Sequence, residues 1–444
     1  MNQSKLTRRD LLKLMGVGAS VAALAACAPA GGPAATGSEG GAAPAGDKVA
    51  LSIATYADPR NEWQRTAAKE WAAEHADVEL NIDEVIYGEM SKKQLAALAT
   101  DTLWDVSFSG VKWFPYTVSK GAFLALDDLI ASTNFDIEDF FDASIAGSSL
   151  DGKVYGLPYL LHPGNPALII QNKNLLGEKG IEVQTSDDWT TLDYAEMVAA
   201  ATDADKGVYG TNYLPGNYYD FCSLARCYGG DILSEDGRNF TFNTDPKSVE
   251  ACQWIVDLRT KLNAAPMREE SQGIQFAAGN LYTSTLGTYA VRSLEETIAD
   301  KFEWEIVLHP TGPDGVRGYQ GFIECFSVYA KSKNPDLAFD LIVKETSTDV
   351  GVRSVLESSN QPTARKSVWE SPELADLHPI FKRALDWMAS YNGPFPMPYN
   401  LRFQELQDTW ANTSTELFYG EVGFEEGMQT VQDECQAIID LERG

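Results

Sequence analysis

The sequence predicts an α/β protein with two lobes, and three observations indicate this class. The chain has 444 residues, and the part beyond its N-terminal region is about 400 residues long, enough for two lobes. Strand-like and helix-like segments alternate where this body begins, which is typical of a mostly parallel sheet covered by helices on both faces. The last third of the chain has mainly helical patterns.

The body opens with a β-α-β-α-β series. "KVALSIATYA" is apolar and β-branched and predicts a buried strand, and "NEWQRTAAKEWAAEHA" places Trp63, Ala67 and Trp71 on one face of a helix. "DVELNIDEVI" alternates as a strand does, "SKKQLAALAT" predicts a helix, and "LWDVSFSG" predicts a short strand that ends at Gly110. Ligands of such sheets bind outside the carboxyl ends of the strands. This rule points to residues 56–58 and 109–113.

A second α/β unit follows a segment that is rich in proline. Pro163 and Pro166 exclude a helix until after Ile170, so the stretch near 157–161 is predicted to cross between the lobes. The later segments predicted as strands are "VYGTNYL", "WEIVLHP" and "FSVYAKS". The later segments predicted as helices are "TLDYAEMVAAATDA", "PDLAFDLIVKETS", "LHPIFKRALDWMAS", "RFQELQDTWANTSTELFYG" and "FEEGMQTVQDECQAIIDLE".

The first 27 residues have the layout of an export signal. Arg8 and Arg9 precede a short apolar run, as in twin-arginine signals, and the run ends in "LAAC" at Cys27, which resembles a bacterial lipobox. We therefore expect residues 1–27 to be a lipoprotein signal peptide that ends at a lipidated Cys27. The alternative is a buried helix of a cytosolic enzyme. Residues 28–47 contain no aromatic and no large aliphatic side chain, which predicts a flexible linker.

The formal net charge of −29 bears on which partners the protein can have. Strong acidity argues against binding to nucleic acid and against adsorption on anionic lipid. It mildly favours a neutral or cationic ligand, and the alternative is that the acidity serves solubility.

Five cysteines are left if Cys27 is lipidated, and an odd number cannot all pair within the chain. One disulfide among Cys222, Cys227 and Cys252 is one interpretation, and small buried thiols are the other. The four histidines are scattered and the chain has no Cys-x-x-Cys, so no metal site is predicted.

Several motifs resemble a known family, in the order in which that family has them. They are "GAFLALDDLI", "GKVYGLPY" with "QNKNLLGEKGIEVQTSDDW", "GGDILSEDGRNFTFNTDPKSVEACQWIVDL", "LHPTGPDGVRGYQGF" and "AKSKNPDLAFDLI". Together they resemble the extracellular solute-binding proteins of bacterial ABC importers, in the group (family 1) that includes maltose-binding protein. The resemblance covers nearly all of residues 48–444.

The resemblance implies a type II periplasmic-binding-protein-like fold, in which three crossings join two lobes and the ligand lies between them. Lobe 1 would hold residues 48–159 and 305–361, and lobe 2 residues 160–304 and 362–444. The implied function is to bind a mono- or oligosaccharide and deliver it to the permease subunits of an ABC importer. The protein would be a monomer without a cofactor, on the outer face of the cell membrane and held there only by its lipid.

Sugars pack their C–H faces on aromatic rings and donate or accept hydrogen bonds with planar polar groups. The candidate ligand-binding residues are those at the predicted cleft loops that offer such groups. They are Tyr56, Asp58, Ser109, Trp113, His162, Asn217, Tyr219, Asp220, Tyr289 and Tyr399. Trp63, Trp71, Trp254 and Trp387 have the spacing of helix core positions and are predicted to pack in the interior.

Two other functions remain as alternatives at this point. One is a receptor of the same fold for a polyamine or another cationic solute, which would need carboxylates that converge from both lobes. The other is a glycoside hydrolase, since aromatic clefts with acids suit that chemistry. The chain has no Gly-x-Ser-x-Gly and no His-Glu-x-x-His motif. We therefore expect a binding protein and not an enzyme.

Overall fold

The structure is a computed structural model that describes residues 48–357, 363–389 and 400–441. The predicted signal peptide with Cys27, the predicted linker and Tyr399 lie outside these ranges. The strands are β1 Val49–Tyr56, β2 Val78–Val85, β3 Val106–Gly110, β4 Ser149–Leu150, β5 Lys153–Val154, β6 Leu157–Pro163, β7 Leu168–Asn172, β8 Thr283–Leu286, β9 Trp304–Leu308 and β10 Gly321–Val328.

The helices connect and cover these strands. They are α1 Glu62–Glu74, α2 Tyr87–Ala99, α3 Phe114–Ser119, α4 Asp127–Thr133, α5 Asp142–Gly147, α6 Lys173–Glu178, α7 Thr191–Ala201, α8 Tyr218–Cys227, α9 Pro246–Thr260, α10 Val291–Ile298, α11 Pro335–Glu345, α12 Thr348–Glu357, α13 Pro379–Ala389, α14 Phe403–Phe418 and α15 Phe424–Asp440. In these ranges no helix has the length and apolar character needed to cross a bilayer.

A sheet of five strands in the order β2-β1-β3-β10-β6 forms the framework of the first lobe. β1 is parallel to β2 and β3, and β10 is antiparallel to both β3 and β6. The predicted opening series is confirmed from β1 to β3. β2 forms one edge of this sheet, and its Glu79, Asp83 and Glu84 are exposed. The carboxyl ends of β1 and β3 and the first residues of β10 lie at the same edge, because β10 runs in the opposite direction.

The apolar face of α1 packs against this sheet as its periodicity predicts. Trp63, Ala67 and Trp71 are buried, and the indole nitrogen of Trp71 donates a hydrogen bond of 2.6 Å to Asp340 of α11. Trp254 and Trp387 are buried as well, so the prediction that these four tryptophans pack in the interior is confirmed.

The second lobe is built on a sheet of three strands in the order β8-β7-β9, in which both pairs are antiparallel. Helices α7, α8, α9, α14 and α15 share one large core with this lobe. The core is rich in aromatic side chains, among them Tyr194, Tyr218, Phe221, Trp254 and Trp410. A core of this kind gives α8 a fixed position, and α8 carries the candidates Tyr219 and Asp220 in its first turn, directly after Asn217.

One predicted strand is wrong. "VYGTNYL" (208–214) forms only isolated bridges, at Val208 and Tyr209. Its backbone donors are taken by three separate partners, because Tyr209 donates to the Asn280 carbonyl, Gly210 to the Thr202 hydroxyl and Thr211 to the Ala264 carbonyl. A strand requires a continuous ladder with one neighbour, and this segment has none.

The strand pairing bears on where the chain passes between the sheets. Residues 160–163 still pair with β10 in the large sheet, and residues 305–308 pair with β7 in the small sheet. At both crossings the change of sheet comes a few residues later than the predicted lobe boundary. The lobe boundaries themselves stay predictions.

The five cysteines of the body are free and buried, so the interpretation as small buried thiols is confirmed and the disulfide among the first three is wrong. They are Cys222, Cys227, Cys252, Cys325 and Cys435. Among the described residues, no group of three or more His, Cys, Asp or Glu side chains is placed to hold a metal ion.

Candidate functional site

Aromatic rings gather at the carboxyl ends of β1 and β3. The ring of Tyr56, the last residue of β1, lies 5.6 Å from that of Tyr87 and 5.8 Å from that of Phe108. Tyr87 in turn meets Trp113 edge-on at 5.0 Å. A Cβ atom at Gly110 would lie 2.5 Å from the Tyr87 hydroxyl, so a larger residue there would displace the Tyr87 ring. Two of the predicted residues, Tyr56 and Trp113, are thus joined through rings that the prediction did not include.

Ser109 is connected to this group of rings through Gln94. The side chain is fully buried, and its hydroxyl accepts a hydrogen bond of 3.1 Å from the amide nitrogen of Gln94. The amide oxygen of the same Gln94 accepts a hydrogen bond from the Trp113 indole. These bonds make Ser109 part of the support for Trp113, and its contact with a ligand stays a prediction.

Asp58 is engaged by a near neighbour. Its carboxylate forms a salt bridge of 2.8 Å with Arg60, and this arginine lowers the pKa of Asp58. The charge of Asp58 also helps to raise the pKa of Tyr56, after burial, which is the larger cause. Asp58 therefore lies near the rings, but its oxygens bind Arg60 in this structure.

Tyr219, Asp220 and Asn217 come together where α8 begins. The Asn217 amide donates a hydrogen bond of 2.8 Å to the Asp220 carboxylate, and the Tyr219 ring stacks on Phe403 at 5.6 Å. Burial raises the pKa of Asp220 to about 7, although hydrogen bonds from Asn217 and Asn165 and the charge of a nearby lysine oppose the rise. Asp220 is thus a buried carboxyl group that titrates close to neutral pH.

His162 and Tyr289 form a third group with Phe322. His162 is the register partner of Phe322 across the β6–β10 pair, and the two rings stack at 5.1 Å. The Tyr289 ring lies 5.4 Å from His162 and keeps 42% of its surface exposed. A Cβ atom at Gly287 would lie 2.3 Å from the Tyr289 ring, so glycine at this position allows the ring to fold back.

Burial lowers the pKa of His162 to about 4, so its imidazole is neutral at neutral pH. Its Nδ1 lies 3.0 Å from the Pro163 carbonyl oxygen, and a neutral imidazole that meets a carbonyl donates from that nitrogen. The Nε2 atom is then the acceptor of the ring.

Lys112 contacts the second and third groups, directly precedes Trp113 of the first, and was not among the predicted residues. Its ammonium nitrogen lies 5.1 Å from the centre of the Tyr219 ring and 5.5 Å from that of Phe322, within the range of cation–π attraction. Burial lowers the pKa of Lys112, whereas the charges of Asp220 and Glu324 act to raise it. The only signal in the sequence was its position directly before Trp113 on the predicted loop.

Glu324 was also missed. It lies on β10 two residues after Phe322, so both side chains point to the same face of the sheet. Its carboxylate is buried and accepts a short hydrogen bond from the Tyr159 hydroxyl, and burial raises its pKa. Nothing in the local sequence distinguishes this acid from the exposed acids of the chain.

Six of the ten predicted residues lie in one connected arrangement, and Asn217 is hydrogen-bonded to one of them. Asp58 and Ser109 flank the arrangement, and Tyr399 lies outside the described residues. We use the name aromatic site for Tyr56, Lys112, Trp113, His162, Tyr219, Asp220, Tyr289 and Phe322. The site combines aromatic rings with an ammonium, a carboxyl group and a neutral imidazole; the Tyr289 ring is exposed, Tyr56 and Phe322 are half-buried, and Trp113 and Tyr219 are buried. It can pack flat apolar surfaces and at the same time bind polar groups at their edges.

Comparison with known proteins assigns the chain to a family. Residues 66–382 match the family described as bacterial extracellular solute-binding protein. The chain belongs to this family. The aromatic site of this solute-binding protein draws its residues from the large sheet and the loop after β3, from the start of α8, and from the turn between β8 and α10.

Similar proteins have been described in several bacteria. The diacetylchitobiose-binding protein DasA of Streptomyces coelicolor is 26% identical over 61% of this chain and 62% of its own length. A substrate-binding protein of Listeria monocytogenes, solved with cycloalternan, has a TM-score of 0.74 at 19% identity over 90% of this chain and 100% of that one. The GacH receptor of Streptomyces glaucescens, solved free and with acarbose, has a TM-score of 0.71 at 22% identity over 88% and 99%.

These likenesses to solved structures concern the fold, and they confirm that this solute-binding protein has the two-lobed α/β architecture predicted from its sequence.

Proposed function

We propose that this solute-binding protein binds a carbohydrate in the aromatic site and delivers it to the permease of an ABC importer. The observation that carries the proposal is the placement of the Trp113, Tyr219 and Tyr289 rings around Lys112 and Asp220. Sugar rings have apolar C–H faces and a rim of hydroxyl groups, and these need the two kinds of side chain that the site combines.

The similar proteins support a sugar as the ligand. DasA is named for diacetylchitobiose, and the two structural neighbours were solved with cycloalternan and with acarbose. A polyamine receptor is the weaker alternative, since the half-buried Lys112 in the site would repel a polycation. One of the two nearest acids, Asp220, is also partly protonated near neutral pH.

We expect binding without turnover, as in other receptors that close around a ligand and then dock on a permease. The test is a thermal-shift screen of the chain from Ala28 onward with mono- and oligosaccharides and with polyamines, followed by calorimetry and product analysis. Stabilisation by sugars that stay intact supports the proposal. Stabilisation by polyamines alone, or cleavage of a glycoside, would contradict it.

We further propose that the protein is exported through a twin-arginine signal, cut before Cys27 and anchored by lipid on that cysteine to the outer face of the membrane, as a monomer. The layout of residues 6–27 supports this proposal. Anchoring near the permease would raise the effective concentration of the receptor there. In cells, Cys27→Ser should move the protein from the membrane fraction to the soluble fraction, and an unchanged membrane fraction would refute the anchor.

A further inference from the structure

Lys112 is a half-buried cation that has no bonded partner among the described residues. Its ammonium lies between the rings of Tyr219 and Phe322. No residue in the described ranges forms a hydrogen bond or a salt bridge with it. A lysine ammonium has three N–H donors, and charges that are buried in proteins are as a rule paired. The part of the chain that the structure describes therefore supplies no group that accepts a hydrogen bond from Lys112.

The two acids nearest to Lys112 are already occupied. The Asp220 carboxylate accepts a hydrogen bond from Asn217, and the Glu324 carboxylate accepts one from Tyr159. Both acids stabilise the ammonium through space, but neither forms a salt bridge with it. The missing partner of Lys112 is thus not supplied by the acids that face it.

His162, the remaining polar neighbour of Lys112, carries no negative charge that could pair with the ammonium. His162 stacks on Phe322, the ring that Lys112 contacts, and its imidazole is neutral. Lys112 consequently meets two aromatic rings, a neutral imidazole and two hydrogen-bonded acids. An anion brought by the ligand would complete this set, since it offers the charge-assisted hydrogen bonds that most reduce the cost of burying an ammonium.

We propose that Lys112 binds the carboxylate of an acidic sugar, so that the ligand of the aromatic site is a uronic acid or an oligosaccharide that contains one. The inference rests on the proposed function, because it names the class of carbohydrate that the same site takes. The aromatic rings hold the sugar faces, and Lys112 selects for the anion. The net charge of −29 does not oppose this, since exposed charges are screened over about 8 Å in physiological salt.

The test compares each acidic sugar with its neutral counterpart by isothermal titration calorimetry. Glucuronate, galacturonate and mannuronate, as monomers and as short oligomers, are paired with glucose, galactose and mannose of the same length. The wild-type protein should bind at least one acidic sugar about tenfold more tightly than its neutral counterpart. Lys112→Met should remove this preference, and Lys112→Arg should retain part of it.

The control variant is Lys173→Met, since Lys173 is a half-exposed lysine that pairs with Glu303 away from the site. It should leave both affinities unchanged. The proposal is overturned if the wild-type protein prefers the neutral sugars, or if Lys112→Met keeps the acidic preference. Binding of neutral sugars alone would refute this proposal and leave the proposed function intact, whereas failure of every sugar in this set and in the thermal-shift screen would refute both. The wild-type comparison decides the matter even if Lys112→Met does not fold.

Discussion

The indole nitrogen of Trp113 donates a hydrogen bond of 2.9 Å to the side-chain oxygen of Gln94. Gln94 is fully buried, and its amide nitrogen donates in turn to Ser109 and to the Phe108 carbonyl. The hydrogen bonds of Gln94 on α2 to Trp113 and to the end of β3 therefore fix the orientation of the Trp113 ring. Trp113 serves the site and the core of the lobe together, so its substitutions should affect both.

Trp113→Phe keeps an aromatic ring but removes the donor to Gln94. The buried amide oxygen would then have no partner, which costs about 1–3 kcal/mol of unfolding free energy. Urea denaturation measures this loss, and calorimetry with the sugar found in the screen should give weaker binding. Gln94→Leu removes the acceptor of the same hydrogen bond and leaves the Trp113 indole donor without it. A Trp113→Phe variant as stable as the wild type would mean that the bond does not hold the ring.

Tyr289→Ala should separate binding from stability. Because 42% of this side chain is exposed, its removal should change the unfolding free energy by less than about 1 kcal/mol. Loss of a stacking ring should weaken sugar binding by at least about tenfold. Leu192→Ala, which removes an exposed side chain from α7, is the matched control and should leave the affinity unchanged. Equal affinities for Tyr289→Ala and the wild type would remove this ring from the site.

Gly287→Ala should move the same ring without removing it. The new Cβ atom would lie 2.3 Å from the Tyr289 ring, which must swing outward. The backbone at Gly287 has φ −89, which alanine adopts without strain, so stability should stay close to that of the wild type. We expect a fall in sugar affinity, measured by calorimetry, that is smaller than the fall for Tyr289→Ala. A larger fall would point to a direct contact of residue 287 with the ligand.

The buried carboxyl group of Asp220 predicts a dependence of stability on pH. Its pKa is raised from 3.8 to about 7, so the folded state holds this proton more tightly than the unfolded state. The contribution is fully present below pH 3.8 and is lost as the pH rises through 7. The loss amounts to at most about 4 kcal/mol, since one pKa unit corresponds to about 1.4 kcal/mol.

Asp220→Asn stays neutral and provides the comparison. The charged and titratable groups that act on Asp220 or respond to it are Lys112, Tyr213, Tyr219 and Tyr289, and the variant retains all of them. The unfolding free energy of Asp220→Asn, less that of the wild type, should be close to zero near pH 4 and should rise by a few kcal/mol by pH 8. A difference that does not change with pH would show that Asp220 is already ionised in the folded protein.

Thiol reactivity should follow the burial of the cysteines. The free thiols of Cys222, Cys227, Cys252, Cys325 and Cys435 are buried, and burial raises the pKa of each. A thiol reagent such as DTNB should react slowly with the folded chain from Ala28 onward and should count five thiols after denaturation. Dithiothreitol should not change the melting temperature. A count of three after denaturation would indicate a disulfide.

Local patterns predicted the secondary structure of the first lobe and part of the site. Tyr56 and Trp113 follow parallel strands, and the rule that ligands bind at carboxyl strand ends needs only the order of those strands. Phe322 and Glu324 could not be found in this way. Their place depends on the antiparallel pairing of β10 with β6, which joins segments far apart in the chain. Lys112 was missed because its role depends on Tyr219 and Phe322, which come from other parts of the fold.

The exposed acids of β2 have a consequence for the protein at high concentration. An edge strand offers unpaired backbone groups to any other edge, and this is a common route to aggregation. On β2 the exposed residues Glu79, Asp83 and Glu84 would be brought against their own copies if two such edges met. The repulsion between these carboxylates should keep neighbouring copies from joining their sheets. Lysine in place of all three keeps like charges at this edge but reverses their sign. That variant would test whether like charge of either sign protects the edge or whether the charge must be negative, as on the rest of the acidic surface.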